Sequence, residues 1–362
     1  MTKTKPTDSV SQLARELRRL IGRLEEGARL PTVRQLMREH GVSQHLVQSA
    51  LQQLRDEGAI ASFVGRGTFV GSGAIAPARP RSVLTLRHQS PYERGDRIVE
   101  VLHRELIRKG HNSLLLTYYD HQHAMTLLRG GVRYDACVLQ PRSSIISVEL
   151  LALLRQVSDC VVIESYAAEN LNVDAVSNDP ARCVDLALDH LRGLGHERIA
   201  WVTEGTGNYF FRACARFFES ARKWAGHGPE TMPLIEAPAS ADGAGITDLP
   251  AVVDALFRRR ARDVPTALVV ASFAGAAAIA ETLDARAIAV PDALSVIKVG
   301  TPDVHSDHGG RFAIVGRPTT QAAATVLRRI EWRWQHPEAP YGSVYDTPLL
   351  APAHSTARPS RA

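Results

Sequence analysis

The chain is 362 residues long, 44% hydrophobic and 22% charged, with a formal net charge of +5. That length suits two or three compact units of roughly 100 to 200 residues each, and the composition excludes a disordered or fibrous chain. Residues 1–80 hold 12 Lys+Arg against 7 Asp+Glu, while the remainder holds 31 of each, the pattern of a small nucleic-acid reader joined to a larger neutral domain.

The first residues are polar and lack the apolar core of a signal peptide, and no run of about 18 apolar residues occurs. A cytoplasmic location without a membrane partner is therefore expected. Cys137, Cys160, Cys183 and Cys214 form no Cys-x-x-Cys pair, so neither a zinc site nor a disulfide framework is expected, and they read as small buried apolar residues.

In chain order, Val10, Leu13, Leu17, Leu20, Ile21 and Leu24 follow helical spacing and predict an amphipathic first helix. Thr32 and Ser43 are each placed to cap a helix, over residues 32–40 and 43–57, with a turn at Gly41. This is a helix-turn-helix. Val47, Ala50, Leu51 and Leu54 form one stripe of the second helix, leaving Gln44, His45 and Gln48 outward near its start, where such a helix reaches base edges in a major groove. Gly58 is expected to end that helix. Residues 60–64 and 68–70, joined by Gly65-Arg66-Gly67, then read as a hairpin with a basic tip.

Pro31-Thr32-Val33-Arg34-Gln35-Leu36, Gly41-Val42-Ser43, Leu54-Arg55-Asp56-Glu57-Gly58 and Gly65-Arg66-Gly67-Thr68-Phe69-Val70 together resemble the GntR family of winged-helix regulators. The pattern of that family is Leu-Pro-Ser-x-Arg-x-Leu, Gly-Val-Ser-x-x-Thr-Val, Leu-x-x-Glu-Gly and Gly-x-Gly-Thr-Phe-Val. The resemblance implies a double-stranded DNA partner, with Thr32 and Ser43 on phosphates, Arg34 on the backbone or a guanine, and Gly67 letting the wing approach the duplex closely. Arg66 at the tip is expected to touch a phosphate or a minor groove. Gln44, Leu46 and Gln48 stand where members commonly carry Arg, Thr and Arg. Glutamine pairs more readily with adenine than with guanine, which shifts the expected readout.

After Val70, Gly71-Ser72-Gly73-Ala74-Ile75-Ala76-Pro77-Ala78-Arg79-Pro80 reads as a linker. Beyond it, strands are expected at 83–86, 113–117, 136–139 and 160–163, with helices at 92–109, 121–129 and 147–154. A second set follows, with strands at 199–203, 267–271 and 295–299 and helices at 181–192, 208–225, 249–262 and 274–283. A strand at 311–315, a helix at 319–334 and an extended segment at 343–349 return the chain through both sets. Such alternation predicts parallel sheets covered by helices on both faces, in two lobes with a cleft between them. The expected fold class is therefore α/β, with an N-terminal winged helix-turn-helix. The expected division is a DNA-binding domain at 1–70, a linker at 71–81, an effector-binding and dimerisation domain at 82–356 and a disordered tail at 357–362.

Val176-Ser177-Asn178-Asp179, His190-Leu191, Leu194-Gly195-His196-Glu197-Arg198-Ile199-Ala200, Pro265-Thr266-Ala267-Leu268 and Val290-Pro291-Asp292 resemble the effector domain of LacI/GalR regulators, itself similar to periplasmic sugar-binding proteins. The resemblance implies effector contacts from Tyr92, Asn178, Asp179, Arg212, Ser272 and Phe273. Ser272-Phe273 occupies the place of the hydroxyl-clasping Asn-Asp of sugar-binding members. Phe273 therefore reads either as the wall of a site for a less hydroxylated ligand or as the plug of a cleft that binds nothing. Arg212 reads as a cleft residue, or else as a surface partner of Glu204 or Glu219. His196 reads as the holder of its helix-strand turn.

Taken together these features describe a transcription regulator, expected to act as a repressor, controlled by a small-molecule effector such as a sugar or anionic metabolite. The alternative is a constitutive regulator whose sensor cleft has lost its ligand. A homodimer on a palindromic operator is expected, since one winged helix contacts few base pairs. Enzyme signatures such as Gly-x-x-x-x-Gly-Lys-Ser/Thr, Gly-x-Ser-x-Gly and His-Glu-x-x-His do not occur, so no catalytic residues or cofactor are expected. The pairs His121/His123 and His305/His308 read as polar loops rather than metal ligands.

Overall fold

A computed structural model of the chain describes residues 6–360 apart from 26, 58, 64–66, 72–79, 90–92, 142–145, 168–170, 206–207 and 241–244. Gly58, Gly65, Arg66, most of the expected linker and Tyr92 thus lie outside the described residues. Contacts divide the chain into two units, Met1–Pro80 and Arg81–Ala362.

The first unit contains α1 (Pro6–Ile21), α2 (Val33–His40), α3 (Gln44–Asp56), β1 (Ile60–Phe63) and β2 (Gly67–Val70). Leu13, Ala14 and Leu17 of α1 bury against Leu36, Val47, Ala50, Leu51 and Leu54, so the apolar stripes read in the sequence meet in one core. Thr32 caps α2 reciprocally: its hydroxyl oxygen accepts from Gln35 N, and Gln35 Oε1 accepts from Thr32 N at 2.8 Å. The turn follows at Gly41, whose φ of 61° suits glycine. Ser43 then caps α3 by accepting from Leu46 N. β1 and β2 pair antiparallel, Ile60 opposite Val70 and Phe63 opposite Gly67. The segment before α2 extends this ribbon, since Leu30 N donates to Thr68 O at 2.7 Å and Val70 N to Ala28 O at 3.0 Å.

The second unit has two lobes. The first is built from β3 (Ser82–His88), α4 (Glu93–Arg108), β4 (Asn112–Tyr118), α5 (His121–Leu128), β5 (Ala136–Gln140), α6 (Val148–Val157), β6 (Val161–Glu164) and β7 (Asp174–Asn178). The second continues with α7 (Pro180–Gly193), β8 (Ile199–Glu204), α8 (Tyr209–Trp224), β9 (Leu234–Ala237), α9 (Leu249–Phe257), β10 (Ala267–Ala271), α10 (Ala276–Asp284), β11 (Ser295–Val299), α11 (His305–His308) and β12 (Ala313–Gly316). Next, α12 (Thr319–Gln335) and β13 (Ser343–Asp346) return to the first lobe, and β14 (Leu349–Ala351) ends in the second.

The sheet orders are β13-β7-β6-β5-β3-β4 and β14-β12-β11-β10-β8-β9. Every pairing in them is parallel except β12 with β14. Strands covered on both faces read as continuous apolar runs whose side chains alternate between two cores. Trp201, Val269 and Ile297 pack on Leu188, Leu191 and Phe218. Their neighbours Val202, Leu268 and Val296 pack on Val253, Leu256 and Ile279. All four cysteines are free and buried, and burial pushes the Cys137 and Cys160 thiols up to about 12.

Several expectations need correction. The extended segment at 343–349 is two strands, β13 and β14, in different sheets, because the chain crosses between lobes at 346–349. β7 and β9 were not anticipated; β9 is a short edge strand with only one buried residue, so its apolar signal is weak. His305–His308 is a short helix rather than a loop, and His121 and His123 lie in the first turn of α5. The expected tail is docked as far as Pro359: Ala357 O accepts from His196 Nε2 at 2.8 Å, Ala357 N donates to Ser295 Oγ at 3.0 Å, and Pro359 packs against Gly195. Polar anchors, His196 in the α7–β8 turn and Ser295 at the start of β11, hold it there.

Candidate functional site

In the first unit the start of α3 presents Gln44, His45 and Gln48 to solvent, while Val47 and Ala50 turn inward. The exposed face offers amide and imidazole groups capable of reading base edges. Thr32 and Ser43 sit at the two helix N-termini, where unpaired backbone N–H groups also favour an anion. Arg34 is exposed in the first turn of α2. Gly67 begins β2 with φ 116°, a conformation that side chains resist.

In the second unit a cavity of about 280 Å³ lies between the lobes. Its first wall is made by carboxyl ends of strands and the residues after them: His88, Gln140, Glu164 to Tyr166, Ser177 and Asn178. Asn208, Phe210, Phe211, Ser272, Phe273 and residues 298–301 form the facing wall. Ligands of parallel α/β sheets bind at such strand ends. Phe211 and Phe273 meet edge to face at 5.0 Å, and Glu204 fixes Phe273 by accepting its backbone N–H at 2.8 Å.

The polar floor is a chain of buried ion pairs. Glu164 accepts from Arg317 Nη2 at 2.7 Å, Gln140 Nε2 at 3.2 Å and Arg94 Nη2 at 3.4 Å. Burial alone raises its pKa, but Arg94, Arg317 and hydrogen bonds from Ser165 and Gln140 outweigh burial and hold the carboxyl below its usual range. Lys298 Nζ lies 2.9 Å from Asp307, which also accepts from Thr301 N at 2.7 Å. For Asp307 too, burial is overcome by the neighbouring ammonium and the pKa is lowered. Two buried oxygens among the lining residues, Ser177 Oγ and Asn178 Oδ1, have no partner among the described residues. Buried polar atoms normally have one.

Of the expected effector residues, Asn178, Ser272 and Phe273 line the cavity. Arg212 does not: it is exposed on α8, because Phe211, Cys214 and Phe218 take the inward face of that helix. The carboxylates of the rival surface pairing are engaged elsewhere, Glu204 with Phe273 N and Glu219 with Arg222. Asp179 also stays out of the cavity and caps α7 by accepting from Arg182 N at 3.1 Å. The charged lining groups Glu93, Arg94, Glu164, Lys298 and Asp307 escaped sequence reasoning, although a lysine within Ser295-Val296-Ile297-Lys298-Val299 is a legible signal. His196 is buried in the corner it was expected to hold, 2.9 Å from Thr266 Oγ1 and 3.0 Å from Ser295 Oγ. Among the described residues no cluster of His, Cys, Asp and Glu is arranged to hold a metal.

Residues 9–70 match the bacterial regulatory proteins of the gntR family, and residues 188–356 match the periplasmic binding protein-like domain. No curated protein matches the chain. Among solved structures, a LacI family transcriptional regulator from Enterococcus faecium with bound ribose is similar at 18% identity and TM-score 0.61, over 77% of this chain and 99% of that one. A LacI family regulator from Mycobacterium smegmatis is similar at 20% identity and TM-score 0.59, over 77% and 100%. The lac repressor dimer bound to operator and the anti-inducer ONPF is similar at 13% identity and TM-score 0.61, over 77% and 95%. At these identities the likeness is one of fold.

The first unit thus matches a family of bacterial regulatory proteins, and the second has the fold of LacI family regulators. More particularly, the chain joins a GntR-family helix-turn-helix domain to a periplasmic-binding-protein-like domain.

Proposed function

We propose that the protein is an effector-controlled repressor, working in the cytoplasm as a homodimer on a palindromic operator. The observation that carries this reading is the cavity of about 280 Å³ at the strand ends, with aromatic walls and the oxygens of Ser177 and Asn178, which have no partner among the described residues. A buried acceptor without a donor is costly, and a ligand N–H or O–H removes that cost. Asn178, Ser272 and Phe273 are proposed as effector contacts, joined by Ser177, Arg94 and Glu164. Thr32, Arg34, Ser43, Gln44, His45, Gln48, Arg66 and Gly67 are proposed as the DNA-contacting set. The similar regulator with bound ribose supports the effector assignment by analogy of fold, and the gntR family match over residues 9–70 supports the DNA-contacting set.

The domain boundaries proposed are 1–70 for the DNA reader and 82–356 for the sensor. An effector that favours one lobe arrangement by 1 to 3 kcal/mol shifts operator affinity by about five- to 150-fold. The test combines a thermal-shift screen of small metabolites with a gel-shift assay on the protein's own upstream DNA. A compound that raises the melting temperature in proportion to the logarithm of its concentration and also changes the shift supports the proposal. A shift indifferent to every stabilising compound leaves a constitutive regulator.

A further inference from the structure

We propose that Arg29 is a DNA-phosphate contact seated on the wing by Gly67. Arg29 lies in the extended segment before α2, paired with the wing through an antiparallel bridge to Phe69. The neighbouring bonds Leu30 N to Thr68 O and Val70 N to Ala28 O fix the register. The segment thus runs alongside β2 through one isolated bridge and its flanking hydrogen bonds. Arg29 is exposed, and among the described residues no carboxylate pairs with it, whereas Arg18 is committed to Glu57 at 2.6 Å.

The guanidinium lies against Gly67. A Cβ at that position would come within 2.8 Å of Arg29 Nε, 3.2 Å of Nη2 and 3.4 Å of Cζ. Because Cζ is farther off than the two nitrogens, the guanidinium meets the glycine with its Nε–Nη2 edge and leaves its Nη1 end free. Gly67 therefore makes room for a cation as well as supplying a positive φ. Arg29 lies three residues before Thr32, the cap of α2, so the segment that carries it leads from the wing into the helix-turn-helix. A planar fork of donors held there with no internal acid partner suits a phosphate oxygen pair. Because it meets the backbone and no base edge, its contribution is independent of sequence.

The test uses the full chain with a short duplex of arbitrary sequence, titrated at several salt concentrations. Arg29→Gln lowers the magnitude of the log-affinity against log-salt slope by roughly 0.9, the value for one lost phosphate contact. The affinity ratio of parent to variant then shrinks about three- to fourfold between about 50 and 200 mM salt. Arg29→Lys restores most of the slope, because the charge remains. Gly67→Ala, which displaces the guanidinium, loses the same slope, and the double variant loses no more than either single one. An unchanged slope in Arg29→Gln, with or without a change in melting temperature, overturns the proposal and makes Arg29 a packing group. Additive slope losses in the double variant contradict the seating by Gly67.

Discussion

Arg317 Nη2 lies 2.7 Å from Glu164 Oε1 with both side chains buried, and its Nη1 is hydrogen-bonded to Asp346. Glu164 ends β6 and lines the cavity, whereas Arg317 and Asp346 belong to two of the segments that cross between the lobes. The third crossing is tied in as well, since Asp179 N donates to Asp346 O at 3.0 Å. The cavity floor and all three crossings therefore share one network. Charge here is expensive to bury and is retained only because each group has partners.

Removing one partner should then cost more than removing both. Arg317→Met alone leaves Glu164 and Asp346 short of a cation and should destabilise the second unit by about 3 to 5 kcal/mol. The double change Arg317→Met with Glu164→Gln should cost less than the two single changes added together. All four tryptophans, Trp201, Trp224, Trp332 and Trp334, lie in this unit. Urea unfolding followed by tryptophan fluorescence therefore reads it directly, and strictly additive costs would show that the two side chains act independently.

Gly316 ends β12 where a crossing begins, and a Cβ there would fall 1.8 Å from Gly300 O. No flexible side chain can yield at that point, because the obstacle is backbone. Gly316→Ala should therefore force the ends of β11 and β12 apart and lower the unfolding midpoint of the second unit while leaving DNA binding by the first unit in place. A midpoint equal to that of the parent would contradict the close approach.

Gln44 and Gln48 should govern sequence preference. Replacing either with Ala should relax selection at one or two base pairs, at a cost of roughly 1 to 3 kcal/mol on the preferred operator, and leave the salt slope unchanged. Selection of bound sequences from a random pool measures the first effect. A variant that binds all sequences more weakly with its preference intact would move that glutamine from the bases to the backbone.

Burial lowers the pKa of His196 below its usual 6.5. The unfolded chain then takes up a proton more readily than the native one as the pH falls through 6.5, so stability declines on the acid side and is fully present above it. His190, also lowered by burial and 2.9 Å from Thr356 Oγ1, acts in the same direction on the same C-terminal segment. His196→Gln should flatten the loss of melting temperature between neutral and mildly acid pH. A variant whose pH profile parallels that of the parent would place the acid sensitivity elsewhere.

The helix-turn-helix was legible because caps, glycines and apolar stripes are local signals, and Thr32, Gly41, Ser43 and Leu54 each act where spacing placed them. The paired sheets were legible for the same reason, through runs such as Ala267 to Ala271. The cavity was less so. Arg212 was assigned to it by family position, but one residue along a helix turns a side chain by about 100 degrees, and the bulky Phe210 and Phe211 took the inward places. Glu164 and Arg317 are far apart in sequence and meet only when the crossings fold together, so no local pattern announces their pairing. The docked tail was hidden likewise, being held by His196, whose partners come from three distant segments.

If occupancy of the cavity controls operator binding, Asn178→Ala should uncouple the two. Its Oδ1 is buried beside the cavity with no partner among the described residues. Operator affinity of parent and variant should be measured by fluorescence anisotropy, with and without the compound that stabilises the parent in the thermal-shift screen. Without the compound the two should bind equally; on adding it the affinity of the parent should change about five- to 150-fold and that of the variant little or not at all. An equal response in both proteins would contradict control from this cavity.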